Sequence, residues 1–183
     1  MDGTWYFCGM NIFYTNKSPE ISAYSLCDKH VVKMSLESAQ MLTNCFSEDI
    51  LALPTTPKTQ KGTPRKYSHW NHPSSIWVRQ SKPNMQWLLD HAIAICHEKH
   101  RRYPDKPLPF VYGFLKWTEI NFFNSQVPDG DFTEPPQCMP DDCKVEGDSI
   151  SAYRNYYNQE KADIATWKNA EIPWWFKKTV EIG

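Results

Sequence analysis

Five polar side chains along one predicted helix carry the residue types that acid–base chemistry requires. His30, Lys33, Glu37, Gln40 and Asn44 recur at offsets of three and four residues, which places them on one face of a helix. A carboxylate flanked by a lysine and a histidine can act as a general base or stabilise a developing cation, as cleavage of an N-glycosidic bond requires. Glu37 is therefore the predicted catalytic residue, with His30 and Lys33 as catalytic partners and Gln40 as a substrate contact.

The same polar face also has a simpler interpretation. Any half-buried helix shows polar residues to water, and Lys33 and Glu37 at this spacing form an ordinary ion pair. Spacing alone favours the solvent-facing interpretation, whereas the mixture of histidine, lysine and glutamate favours a site. Both interpretations stand at this point.

A second candidate group begins at Lys66 and continues into the next predicted helix. Its members for substrate binding are His72, Trp77 and Arg79, because aromatic rings stack on bases and arginine binds phosphate. The alternative is a capped helix start with a buried tryptophan, since tryptophan is also a common core residue.

A third candidate group lies near the C-terminus and mixes tyrosines with cations. It supplies Tyr153, Arg154, Tyr156 and Lys168 as predicted substrate contacts, a mixture that suits a stacked or extruded base. Tyrosines at helical spacing are nevertheless more often part of a core, where their rings bury a large area.

Composition restricts the function classes. The 183 residues are 40% hydrophobic and 22% charged, with a net charge of −1, so any nucleic acid must bind a local patch rather than a global positive field. Without a basic, apolar N-terminal signal or a long apolar run, we expect a soluble, cytoplasmic protein, in the infected host cell if it is viral. The six cysteines are expected to be reduced, and their spacing predicts neither a metal nor a cofactor.

The pattern of apolar residues predicts an all-α fold of four to six helices in one compact domain, residues 1–183. Helices are expected from Pro19 to Phe46, divided at Cys27, then from His72 to Arg102 with a break or kink at Pro83. Two further helices should follow, and the last should run from Asp148 to Trp167. Residues 1–17 are expected to be an N-terminal extension with a short extended segment, and 53–72 and 127–147 long loops rich in proline.

One run of residues resembles a known family. Asp28-x-His30 followed seven residues later by Glu37 is similar to the start of the phage pyrimidine-dimer DNA glycosylases of the endonuclease V type, and to uncharacterised proteins of large phages. The segments 72–103 and 153–162 resemble the middle helix and the C-terminal aromatic-lysine run of that family. The resemblance implies an all-α glycosylase that extrudes a nucleotide and attacks C1′ with an amine, giving a Schiff base, with Glu37 as the catalytic glutamate.

The chain departs from the family pattern at two places. The family uses the α-amino group of a short N-terminus, whereas ten residues precede the matching Asn11 here. A start at Met10, the Lys33 amine, or a water activated by Glu37 are the alternatives. The phosphate-binding arginines of the family, one before and three after the glutamate, correspond to Leu36 and Gln40.

Three functions are consistent with these features. The first is cleavage of the N-glycosidic bond of a damaged or modified pyrimidine nucleotide in DNA. The second is a phage base-modifying or nucleotide-processing enzyme that acts on free nucleotides, which need no long basic track. The third is a non-enzymatic module that binds nucleic acid or a host protein.

Overall fold

In the computed structural model, which describes residues 10–177, seven α-helices form and no strand occurs within that range. The prediction of an all-α fold is confirmed. The helices are α1 (Pro19–Tyr24), α2 (Asp28–Thr43), α3 (Glu48–Ala52), α4 (Pro73–Gln80), α5 (Lys82–Arg102), α6 (Tyr112–Ile120) and α7 (Ser149–Glu160), with 3₁₀ helices at Phe122–Asn124 and Asp141–Cys143. The number exceeds the predicted four to six because Ser47 caps the separate short helix α3, accepting a hydrogen bond from the Ile50 N–H.

Helix α5 is the centre of the fold and packs against α1, α2, α4 and α6. Leu88, Ala92 and Ile95 are each fully buried on it. The break predicted at Pro83 separates α4 from α5, because proline is compatible with the first turn of a helix and Ser81 caps the new one. Helix α2, which carries Glu37, packs against α5 and is therefore held against the core on that side.

The last helix is shorter than predicted. Asp148 caps α7 as expected, accepting from the Ser151 N–H at 3.0 Å, but the helix ends at Glu160 rather than Trp167. The chain beyond it binds the first residue of α2 instead: Asp28 accepts hydrogen bonds from the Thr166 hydroxyl and from the Lys168 N–H. The Asp28 side chain therefore satisfies the backbone N–H of Lys168, which has no helical partner.

Arg102, the last residue of α5, is buried together with the carboxylate that neutralises it. Its Nε donates to Glu98 at 2.8 Å, Nη1 donates to Asp28 at 3.1 Å, and Nη2 donates to the Tyr24 carbonyl at 3.0 Å. The side chains of Arg102 and Glu98 are 0% and 2% exposed. This network joins α1, α2 and α5 at one end of the bundle.

The predicted loops lack α-helix, and 127–147 contains one 3₁₀ turn. The 53–72 loop is less superficial than its composition indicated, since Thr56 and Arg65 are buried. The Asn44 amide donates to the Ser68 carbonyl and accepts from the Ser68 N–H, which ties the loop to the end of α2.

The predicted N-terminal segment is extended but not peripheral over residues 10–17. Met10, Ile12, Phe13 and Tyr14 are all buried in the core. Residues 1–9 of the predicted extension lie outside the described residues. The segment therefore passes through the interior of the bundle before α1 begins.

The cysteines in the described range, at positions 27, 45, 96, 138 and 143, are free and buried; Cys8 lies outside it. Between residues 10 and 177, no group of three His, Cys, Asp or Glu side chains is arranged to hold a metal ion. No helix in this range has the length and apolar character needed to cross a membrane.

Candidate active site around Glu37

Glu37 lies on α2 in a nearly closed environment, with 13% of its side chain exposed. The Lys33 ammonium, one turn earlier, is 3.7 Å from Oε1, which is an ion-pair distance beyond hydrogen-bond range. Oε2 is buried and accepts no hydrogen bond of good geometry from residues 10–177, although the Asn11 backbone N–H lies close enough to act on the carboxyl. A buried carboxylate oxygen with unused acceptor capacity is free to receive a proton or a ligand donor.

Burial raises the pKa of Glu37 to about 7. The charge of Lys33 and the Asn11 N–H act in the opposite direction but do not cancel the effect of burial. A carboxyl group with this pKa is present in both protonation states near neutral pH, so it can serve as either acid or base. Burial is therefore the physical reason that Glu37 is suited to acid–base chemistry near neutral pH.

We expect the raised pKa to make folding stability depend on pH. Between about pH 4.5 and about 7 the folded carboxyl holds a proton that the unfolded chain has released, so stability falls as pH rises across this range. A difference of this size corresponds to roughly 3 kcal/mol. Urea unfolding at about pH 5 and about pH 8 should show wild type losing stability relative to Glu37→Gln as pH rises.

Taking the difference between wild type and Glu37→Gln removes the titration of all other groups. A difference in the free energy of unfolding that stays constant from acidic to mildly alkaline pH would contradict a raised pKa at Glu37.

His30 is buried and takes part in an aromatic cluster rather than in a contact with Glu37. Its ring stacks on Phe13 with centroids 4.1 Å apart, and Nδ1 is 2.5 Å from the Tyr157 hydroxyl, which also accepts from the Cys27 N–H. Burial, with the charges of nearby lysines, lowers the pKa of His30 to about 3. The imidazole is therefore neutral near neutral pH, and a Tyr157 hydroxyl that donates to Nδ1 leaves the proton on Nε2.

Phe13 connects His30 with two other predicted residues. Its ring stacks on Tyr156 at 5.8 Å and meets Tyr153 edge-on at 6.0 Å. Phe13 has φ = +56°, a conformation that is uncommon for a bulky residue and persists only where surrounding contacts enforce it. We call these rings, together with Tyr157, the Phe13 cluster; it holds the N-terminal segment against α2.

The three predicted substrate contacts of the second group bind residues other than Glu37. His72 caps α4, with Nδ1 accepting from the Ser74 N–H, and burial lowers its pKa to about 4. Trp77 is buried and donates from Nε1 to the Thr133 carbonyl. Arg79 lies over the Trp70 ring, 3.6 Å from its centroid. None of these contacts among the described residues involves Glu37, and the roles of all three in substrate binding remain predictions.

The third group is similarly divided. Tyr153 is fully buried and donates to the Pro136 carbonyl, and Arg154 donates to the Thr15 carbonyl. Tyr156 packs on Phe13, whereas the Lys168 ammonium lies 5.5 Å from the Tyr103 ring centroid. The structure thus brings His30, Tyr153 and Tyr156 together and leaves Lys168 beside the start of α2.

Gln40 lines a groove of 450 Å³ that we call the α2 groove. Its walls are the outer face of α2, the loop at 59–68, Lys99 of α5 and residues 109–111. Arg65 and Phe13 are absent from the predicted site residues, because each owes its position to residues distant in sequence. The apolar run at residues 11–16 was the one visible signal, and it did not indicate a contact with α2.

Comparison with protein families gives one match, and it covers the elements just described. Residues 10–108 match the family model for pyrimidine dimer DNA glycosylase. This range is more than half of the chain, starts at Met10, and contains Glu37 and all of α1 to α5. No curated protein and no solved structure matches the chain. The resemblance predicted from Asp28, His30 and Glu37 is confirmed, and the chain belongs to the pyrimidine dimer DNA glycosylase family.

Proposed function

We propose that this protein cleaves the N-glycosidic bond of a damaged or modified pyrimidine nucleotide in DNA, with Glu37 as the acid–base residue. Family membership supports a DNA glycosylase that acts on pyrimidine dimers. The observation that carries the role of Glu37 is its burial, which raises its pKa to about 7 within the family-matched region. A carboxyl in this state can exchange a proton with the reacting groups at neutral pH.

The proposed reaction has the same bond changes whichever nucleophile attacks. A bond forms to C1′ of the sugar, the C1′–N bond breaks, and its electron pair leaves with the base, which takes up a proton. With water as nucleophile, Glu37 accepts the water proton and an abasic sugar results. With an amine, the nitrogen then forms a second bond to C1′ as the C1′–O4′ bond breaks, which opens the sugar ring and gives a Schiff base. O4′ keeps that electron pair and takes up one amine proton, and the other amine proton balances the one taken up by the base.

Two amines are candidate nucleophiles: the side chain of Lys33, and the α-amino group that a chain beginning at Met10 would have. Lys33 lies 3.7 Å from the carboxyl, but its side chain is 55% exposed, so it lacks the desolvation that activates lysine as a nucleophile. The backbone nitrogen of Asn11 lies beside the same carboxyl, and the family match begins one residue earlier. An α-amino group at the start of the matched segment would therefore lie next to Glu37, and we propose it as the nucleophile.

Borohydride trapping on DNA with a pyrimidine dimer tests this assignment, because only a Schiff base is reduced to a stable adduct. We expect a chain that begins at Met10 to form the adduct, and to form it equally well with Lys33→Met. Mass analysis of the adduct should place the sugar on the N-terminal peptide.

Two results would contradict the α-amine. An adduct that disappears with Lys33→Met assigns the nucleophile to the lysine. Release of free base without an adduct, from the 183-residue chain and the shorter one alike, assigns it to water.

A further inference from the structure

We propose that the α2 groove binds a phosphate group, with Arg65 as its principal ligand. The groove lies between α2, the loop at 59–68 and residues 109–111. Its occupancy does not depend on the chemistry of Glu37, so the proposal goes beyond the catalytic assignment and can be tested without it.

Arg65 is a buried cation without a counter-charge from residues 10–177. The residue is 8% exposed, and its Nε is buried without an acceptor in the described part of the chain. The guanidinium lies 4.2 Å from the centroid of the Phe114 ring. This cation–π contact stabilises the position of the guanidinium, but the ring provides no hydrogen-bond acceptor in the guanidinium plane for its N–H groups. Burial lowers the pKa of Arg65, and no carboxylate in the described part of the chain opposes this effect.

Arg102 is also a buried guanidinium, and its role is structural, so its hydrogen-bond partners can be compared with those of Arg65. Arg102 donates to two carboxylates, Glu98 and Asp28, and to a backbone carbonyl. Arg65 has no such partner among residues 10–177. A buried charge is costly unless it is paired, and the guanidinium fork matches the oxygens of a phosphate. The N–H donors of Arg65 that lack a partner in the described range are therefore available to the oxygens of a bound phosphate.

The groove as a whole has the electrostatics of an anion site. Arg65, Lys66 and Lys99 line it, and no Asp or Glu of the described residues does so. Its volume of 450 Å³ is within the range that accommodates a small organic ligand. This local positive charge exists in a protein whose net charge is −1, so it attracts an anion specifically to this face.

The surroundings fit a nucleotide attached to the phosphate. Val32, Leu36 and Phe110 line the same groove and are about half exposed, which provides an apolar surface for a sugar or base. Gln40 also lines the groove and follows Glu37 by three residues, so the groove opens about one helical turn from the catalytic carboxyl. The bound phosphate belongs either to a DNA strand that passes Glu37 or to a free nucleotide.

The test measures binding to the Glu37→Gln protein, so that catalysis plays no part. The probes are inorganic phosphate, thymidine monophosphate and a single-stranded thymidine decamer. We expect Arg65→Met to weaken binding about tenfold or more, since charge-assisted hydrogen bonds are lost. For the decamer, the slope of log K against log salt should fall by about 0.7. Lys61→Met, on the same loop but outside the groove lining, should leave binding unchanged.

Lys99→Met is the second variant, because Lys99 lines the groove yet is only half-buried, and it should also weaken binding if Arg65→Met fails to fold. Loss of decamer binding in these variants assigns the phosphate to a DNA strand. Loss confined to thymidine monophosphate and phosphate assigns it to a free nucleotide. Unchanged binding of all three probes in folded Arg65→Met would overturn the proposal. If Arg65→Met does not fold, unchanged binding of all three probes in Lys99→Met would overturn it.

Discussion

Replacing Glu37 with glutamine is expected to lower the rate of base release from dimer-containing DNA by about 10²- to 10⁴-fold, the usual contribution of a general acid–base residue. The amide has nearly the shape of the carboxyl but can neither accept nor release a proton at neutral pH. Because burial disfavours the charged form of Glu37, the neutral amide should fold at least as stably as wild type above neutral pH. The measurement is single-turnover release of the free base.

Glu119→Gln is the matched control, because Glu119 also pairs with a lysine of its own helix, Lys116, but is 46% exposed. Its base release should equal that of wild type. Equal rates for wild type and Glu37→Gln would remove Glu37 from the chemistry, whatever the nucleophile. Duplex DNA with a dimer, DNA with modified pyrimidines and free nucleotides should be compared in the same assay to define the substrate.

Replacing Arg102 with methionine is expected to lower the free energy of unfolding by about 3 to 5 kcal/mol. Methionine keeps much of the buried stem of the side chain but leaves the Glu98 carboxylate, which is 2% exposed, without its buried cation. Asp28 and the Tyr24 carbonyl lose a donor in the same step. Urea or thermal unfolding monitored by circular dichroism measures the loss.

Arg101→Met is the control, since Arg101 binds the same carboxylate but is 56% exposed. An exposed pair contributes about 1 kcal/mol or less. Similar losses for the two variants would show that burial of Arg102 does not determine its contribution to stability.

The largest difference between the sequence interpretation and the structure concerns the polar face of α2. Helical spacing placed His30, Lys33, Glu37 and Gln40 on one side of a helix, and α2 forms over these residues. Their environments nevertheless differ: His30 packs in the Phe13 cluster, Lys33 is exposed, Glu37 is nearly buried and Gln40 lines the α2 groove. Helical periodicity determines which side of the helix a side chain points to, but not which other residues pack against that side.

The local features of this protein follow from residues that are close together in sequence. The caps at Ser18, Ser81 and Asp148 and the spacing of Asp28, His30 and Glu37 depend on residues a few positions apart, so they can be read along the chain. Family membership depends on the same short-range pattern.

The unusual chemistry of individual residues depends instead on contacts between distant parts of the chain. The raised pKa of Glu37 results from its burial in the folded protein, and the contact of the Arg65 guanidinium with the Phe114 ring requires a proline-rich loop to fold inward. The Phe13 cluster brings together residues that are more than a hundred positions apart in sequence. Burial and counter-charge are properties of these distant contacts, and for that reason they leave no signature in the local sequence.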